Sequence, residues 1–174
     1  MELELQSFVN YLQFERQYSI HTIEAYQGDL DDFLGFLKTM DLHTLEEITT
    51  PTVRSWMVDL VERGLSNRSI HRKMASLRGF FKFLNKRGQL KEKLMDGLVL
   101  PKVQKRLPEY VELKPIDALL DSSAYGGDYV GVRDYFMIHL FYFTGIRRAE
   151  LLRLQPESFD PQRKVLRIIG KGRK

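Results

Sequence analysis

Cysteine is absent from this chain. Neither a disulfide framework nor a cysteine-ligated zinc site can form, and the composition is compatible with a cytoplasmic location. Long apolar runs are absent too: no stretch approaches the roughly 18 consecutive apolar residues that a membrane span needs. The N-terminus, Met1-Glu2-Leu3-Glu4-Leu5, is acidic and amphipathic, unlike a signal peptide with its basic start and apolar centre. Histidine is sparse. His21, His43, His71 and His139 are scattered without ligand spacing, so no metal site is expected. What remains is an ordinary soluble profile, 43% hydrophobic and 29% charged over 174 residues, enough for one good core or two small ones.

The charge is unevenly placed. A net charge of +4 conceals an acidic N-terminal stretch and two basic blocks. Residues 1–62 hold 3 Lys/Arg against 12 Asp/Glu, a net of −9. Residues 66–93 hold 9 Lys/Arg and a single acid, Glu92, a net of +8. Residues 161–174 hold 6 Lys/Arg and no acid. Basic blocks on an otherwise acidic body suit a polyanion-facing surface; solvated helix faces are the competing explanation.

Apolar periodicity predicts four helices before residue 100. The first runs from about Leu3 to Gln17, and the second follows Ser19, a good N-cap, with Ile23, Tyr26, Leu30, Phe33, Leu34 and Leu37 on one face. The third starts at Thr50-Pro51 and ends near Arg63, before Gly64. The fourth runs from Ser66 to about Arg87, before Gly88, with the stripe Ile70, Met74, Leu77, Phe80, Phe81 and Leu84. Trp56, Phe33, Phe80, Phe81 and Phe83 fall on the apolar sides and read as core. Short turns between amphipathic helices imply a bundle over residues 1–100.

Residues 101–110 read differently. Pro101 and Pro108 bracket Lys102, Lys105 and Arg106, the pattern of an extended basic linker. Residues 111–174 then form a second region. A short helix spans Lys114 to Leu120, a Gly-containing loop Ser122 to Asp128, and a strongly apolar helix, expected at the centre of a second core, Val130 to Phe143. A further helix runs from Arg147 to about Leu154. Val165 to Ile169 reads as a strand entering a Gly turn, the first half of a hairpin whose return strand is missing.

Two motifs in this second region carry chemistry. Thr144-Gly145-Ile146-Arg147-Arg148-Ala149-Glu150-Leu151 sets an arginine just past a glycine with a carboxylate three residues on, which suits an arginine positioned for an oxyanion. Ile168-Ile169-Gly170-Lys171-Gly172-Arg173-Lys174 sets a lysine between glycines. It is not a P-loop: the required earlier glycine is Val165 and the required Ser/Thr is Gly172.

The pair resembles the tyrosine recombinase (phage integrase) family, in which Thr-Gly-x-Arg-x-x-Glu-Leu carries the first catalytic arginine and a Gly-Lys-Gly hairpin tip the catalytic lysine. The resemblance extends to the first region, in Ser19-x-x-Thr22-x-x-x-Tyr26-x-x-Asp29-Leu30-x-x-Phe33 and in Leu65-Ser66-x-x-Ser69-Ile70-x-Arg72 with Leu77-Arg78-x-Phe80-Phe81. Opening directly on this bundle, the sequence resembles the simple Xer-type recombinases, which resolve chromosome dimers, more than many phage integrases, and no arm-binding domain is expected before it. Arg148 and Ala149 depart from the family, which usually has a β-branched or small residue and a Ser or Gly there.

The resemblance implies a mainly α fold: a four-helix SAM-like core-binding bundle, then a truncated, mostly helical catalytic domain with the start of a β-hairpin. It implies site-specific DNA recombination or integration through a 3′-phosphotyrosyl intermediate, with no ATP, metal or other cofactor. Arg147 would stabilise the phosphoryl oxygens, with Glu150 bracing it, and Lys171 would protonate the leaving 5′-oxygen, Lys174 being its rival. The His-x-x-Arg box and the nucleophilic tyrosine lie further on in the family, so the chain is expected to be an N-terminal fragment that binds DNA without cleaving it. Expected DNA contacts are Ser66, Asn67, Arg68, Arg72, Lys73, Arg78, Lys102, Lys105 and Arg106. Expected partners are double-stranded DNA and other recombinase protomers, a tetramer on DNA for the full-length protein, with no membrane and no small-molecule substrate. The alternative is a non-catalytic helical DNA-binding or regulatory protein derived from a recombinase.

Overall fold

The computed structural model describes residues 1–90, 93–104, 113–168 and 170. The chain divides into two compact units, Met1–Arg106 and Leu107–Lys174.

The first unit is a helical bundle: α1 (Glu2–Asn10), α2 (Ile20–Thr39), α3 (Thr50–Glu62) and α4 (Asn67–Lys86). Local chemistry sets most of their ends. Ser19 and Ser66 cap α2 and α4, each hydroxyl accepting the amide three residues on, Thr22 and Ser69. The cap of α3 is Thr49, one residue earlier than the Thr-Pro pair suggests, because Thr49 and Thr52 exchange hydrogen bonds in a reciprocal box. The first helix does not keep its winding to Gln17. It widens into a π turn over Tyr11–Glu15 and breaks at Gln17, whose φ is 51°. The widened turn leaves Tyr11 beside Phe83, ring centroids 5.0 Å apart, and Leu12 buried.

α4 supplies the centre of the core. Ile70, Met74, Leu77, Phe80, Phe81 and Leu84 are each at most 2% exposed, and burying a side chain of this size stabilises by about 1.5–3 kcal/mol. Against them pack Phe8 of α1, Phe33 of α2 and Trp56 of α3, with the Phe33 and Trp56 rings 4.8 Å apart. The aromatic residues expected in the core are all buried.

The second unit holds α5 (Leu113–Leu120), a 3-10 turn (Ser122–Ala124), α6 (Tyr129–Thr144), α7 (Arg148–Leu151) and an antiparallel strand pair, β1 (Phe159–Asp160) and β2 (Val165–Leu166). α6 begins at Asp128, whose carboxylate accepts the Gly131 amide at 2.9 Å. Gly131 is obligatory for steric reasons, since a Cβ there would lie 2.0 Å from the Gly126 carbonyl oxygen. Two expectations need amending. The strand at Val165 does not stand alone: Val165–Leu166 pairs with an earlier strand, with Phe159↔Leu166 and Asp160↔Val165 in register. The Asp160 carboxylate accepts the amides of Gln162 and Arg163, which folds the chain back. Nor is α6 an enclosed core helix. Gly131 is its one buried residue, while Phe136 and Phe143 are 59% and 69% exposed. The few described elements of this unit do not surround a helix that is apolar on all sides. Among the described residues no helix is long and apolar enough to cross a membrane.

Candidate nucleic-acid interface and arginine turn

α4 contains no acidic residue, and the side opposite its core stripe exposes Arg68, Arg72, Arg78, Lys82 and Lys86. Spacings of three and four residues align most of them along the helix. Lys82 and Lys86 complete this face. They escaped the residue-by-residue reading, although the same periodicity that picks out the core stripe also picks out its reverse. At the start of the face, Asn67 donates to the Lys102 carbonyl at 2.8 Å, and the His71 Nε2 lies 2.7 Å from the Pro101 carbonyl. These two contacts hold the chain beyond the bundle against the foot of α4, with the backbone of Lys102 beside Asn67 and that of Pro101 beside His71. Lys105 and Arg106 lie outside the described residues.

The cations of α4 differ in their freedom. Lys73 is buried, and its ammonium lies 2.8 Å from an Asp32 oxygen and 3.4 Å from one of Asp29. Its geometry is that of a structural ion pair linking α4 to α2. Arg72 donates through Nη1 to the buried Asp29 carboxylate, which also accepts the Ser76 hydroxyl at 2.8 Å, yet its side chain stays 52% exposed. Asp32 meets Arg63 at 2.9 Å. Partial burial works to raise the Asp32 carboxyl, but Lys73 and Arg63 together outweigh it and hold the group below the ordinary carboxylate range. Among the described residues Arg68, Arg78, Lys82 and Lys86 make no ion pair.

The second unit presents one arginine on a built turn. α6 ends at Gly145 with φ 63°, a left-handed conformation that favours glycine, and the Gly145 amide closes on the Phe141 carbonyl. The Thr144 hydroxyl donates to the Leu140 carbonyl and accepts the Ile146 amide. Ile146 is buried and anchors the turn. Arg147 follows as the N-cap of α7. Its amide and its Nη1 both donate to Glu150, each at 2.9 Å. The Arg147 amide, then its guanidinium, pull the Glu150 carboxyl below its usual range. The Arg147 side chain is 76% exposed against 13% for Glu150, so a braced guanidinium projects into solvent with donors to spare. Arg148, its neighbour, is inside α7 and makes no ion pair among the described residues. Lys171 and Lys174 lie outside the described residues.

Residues 5–88 match the phage integrase N-terminal SAM-like domain. Tyrosine recombinase XerC of Bacillus licheniformis is 34% identical over 167 residues, 96% of this chain and 55% of that protein. XerC of Pseudomonas fluorescens is 33% identical over 174 residues, 100% of this chain and 58% of that protein. The chain thus spans a little over half the length of the curated relatives it matches. Among solved structures, the XerH site-specific recombinase bound to difH substrate superposes with a TM-score of 0.64 at 20% identity, over 98% of this chain and 50% of that one. The integrase from mycobacterium phage Brujita superposes with a TM-score of 0.53 at 21% identity, over 97% of this chain and 54% of that one. At these identities the structural likeness establishes the fold: a mostly helical chain that opens on a SAM-like bundle and closes on a small sheet.

Proposed function

Because this chain is homologous over its whole length to the tyrosine recombinases and carries the phage-integrase SAM-like domain, we propose that it is the duplex-binding half of a site-specific DNA recombinase together with part of its catalytic machinery. The observation that carries this reading is the acid-free face of α4, where Arg68, Arg78, Lys82 and Lys86 stand exposed without carboxylate partners among the described residues. Cations of this kind neutralise phosphates, while the capped start of the helix, with Ser66, Asn67 and the tethered Lys102, offers hydrogen bonds at one end of the same face. Lys105 and Arg106 would extend the basic track through the linker.

In the complete recombinase the chemistry is transesterification. A tyrosine attacks the scissile phosphate, a 3′-phosphotyrosyl bond forms, and the 5′-oxygen leaves with a proton. Arg147, charged at every working pH and oriented by Glu150, stabilises the non-bridging oxygens as negative charge builds on them. Lys171 supplies the proton. Bond energy stays in the phosphotyrosine, so no ATP or metal is called for. The protomers work as a tetramer on two DNA sites in the cytoplasm, as strand exchange in chromosome-dimer resolution or integration requires. This chain alone binds duplex DNA and does not cleave it: its eight tyrosines all precede Lys171.

Charge reversal tests the interface. Arg78→Glu with Lys82→Glu abolishes duplex binding in an anisotropy titration while leaving the helical circular dichroism intact. Arg163→Glu with Lys164→Glu, the same charge change in the β1–β2 turn, weakens it far less. Equal loss from both pairs contradicts the assignment to α4. A suicide substrate that traps covalent complexes yields no adduct with this chain; a covalent band on any of its tyrosines contradicts the division of labour.

A further inference from the structure

Arg72 differs from the other cations on the α4 face, and the difference has a chemical consequence. Its Nη1 is held by Asp29, a carboxylate 2% exposed, while half of the side chain remains in solvent. Asp29 is itself fixed by the Ser76 hydroxyl at 2.8 Å, and Ser76 also donates to the Arg72 carbonyl. The surroundings are charge-balanced: Asp29, Asp32 and Asp59 face Arg63, Arg72 and Lys73. A guanidinium whose charge is already matched gains little from a phosphate, which rewards net positive charge. It does keep unspent N–H donors in a fixed direction. Fixed donors without spare charge suit a neutral acceptor pair on a base edge, and guanine O6 and N7 in the major groove form the pair that a guanidinium fork matches.

The geometry points to Arg72 as a base-reading residue of the duplex interface, with Asp29 as the positioning residue that withholds it from phosphate. This rests on the proposal that α4 faces DNA. Arg68, Arg78, Lys82 and Lys86 then carry the sequence-independent affinity, and Arg72 contributes selectivity for guanine.

The test uses the 174-residue chain and a duplex enriched by it from a randomised pool. The same duplex is then made with 7-deazaguanine, which lacks the N7 acceptor. The wild type loses about tenfold in affinity on that replacement, the scale of one good bidentate contact. Asp29→Asn frees Arg72 for phosphate: the 7-deazaguanine penalty shrinks, while affinity for unselected DNA rises and the slope of log affinity against log salt steepens by up to about 0.9. A purely structural Asp29 instead predicts weaker binding to every duplex. Arg72→Gln leaves Asp29 with Ser76 and Lys73 and serves if Asp29→Asn does not fold. It abolishes the 7-deazaguanine penalty at an unchanged salt slope. A slope shallower by about 0.9 with the penalty intact makes Arg72 a phosphate contact and overturns the inference alone. No enrichment from the pool by a chain that binds DNA also overturns it alone, whereas no salt-dependent binding at all removes the DNA reading and this inference with it.

Discussion

α4 and α6 are the two helices on which the two units are built, and they solve opposite problems. α4 is amphipathic: six large apolar side chains are sealed in the core while an acid-free row of cations faces out. α6 is apolar nearly all round, yet none of its large side chains is fully buried. The first arrangement is complete in itself, since the helix has a buried side and a wet side and each is occupied accordingly. The second leaves Phe136, Tyr142 and Phe143 in water. What the second unit does fix is local: the Gly145 turn, the buried Ile146 and the Arg147–Glu150 pair hold together within a few residues of sequence. Stability in the first unit therefore comes from long-range packing, and order in the second from short-range hydrogen bonds.

The sharpest way to break this contrast is by truncating one aromatic residue in each unit. Trp56→Ala empties a fully buried site and costs about 3–5 kcal/mol in urea denaturation. Phe143→Ala removes an exposed ring and changes stability by no more than about 0.5 kcal/mol. Comparable losses would mean that α6 is packed as tightly as α3 in solution.

Within the second unit, Arg147 and Lys171 are expected to fail differently in the complete recombinase. Arg147→Ala slows strand cleavage by roughly 10²–10³ with DNA affinity little changed. Replacing the bridging 5′-oxygen by sulfur does not rescue it, because a better leaving group supplies no charge for the phosphoryl oxygens. Lys171→Ala is rescued by that substrate, whose sulfur leaves without a proton. Rescue of both variants, or of neither, reassigns the general acid, with Lys174 next to be tested.

Acid separates the units more gently. Asp32 and Glu150 both have lowered carboxyl pKa values. Each group therefore contributes its stabilisation in full above its unfolded value, about 4, and loses it as the pH falls through the lower native value. Asp32 links α2 to α3 and α4 through Arg63 and Lys73, so Asp32→Asn lowers bundle stability at neutral pH and flattens its acid limb. Glu150→Gln leaves bundle unfolding untouched and shifts only the Arg147 amide resonance and its pH dependence. A change in the bundle's unfolding on Glu150→Gln contradicts the separation.

The same contrast governs what the sequence made legible. The helix starts at Ser19 and Ser66 and the α4 core stripe follow from side-chain chemistry and a 3.6-residue period, both local. The contact of Arg147 with Glu150 spans three residues and so follows from spacing. The π turn at Tyr11–Glu15 was invisible because its apolar pattern is that of an ordinary helix. β1 was missed because two residues after a Pro-Glu-Ser turn show no alternation. The pairing of Arg72 and Lys73 with Asp29 and Asp32 bridges some forty positions of sequence, and nothing local distinguishes these cations from Arg68 or Arg78. Lys73 in particular, counted among the expected DNA contacts, is buried by tertiary packing that no single-helix pattern encodes.

The central claim is that the exposed cations of α4 and the linker bind the phosphates of duplex DNA. The salt dependence of binding, measured by anisotropy on a short duplex with this chain alone, tests it most directly. With about five phosphates neutralised, log affinity falls against log salt with a slope of roughly −4 to −5. Lys82→Ala with Lys86→Ala then makes the slope shallower by about 1.8. A slope near zero, unchanged by that double substitution, would contradict the account.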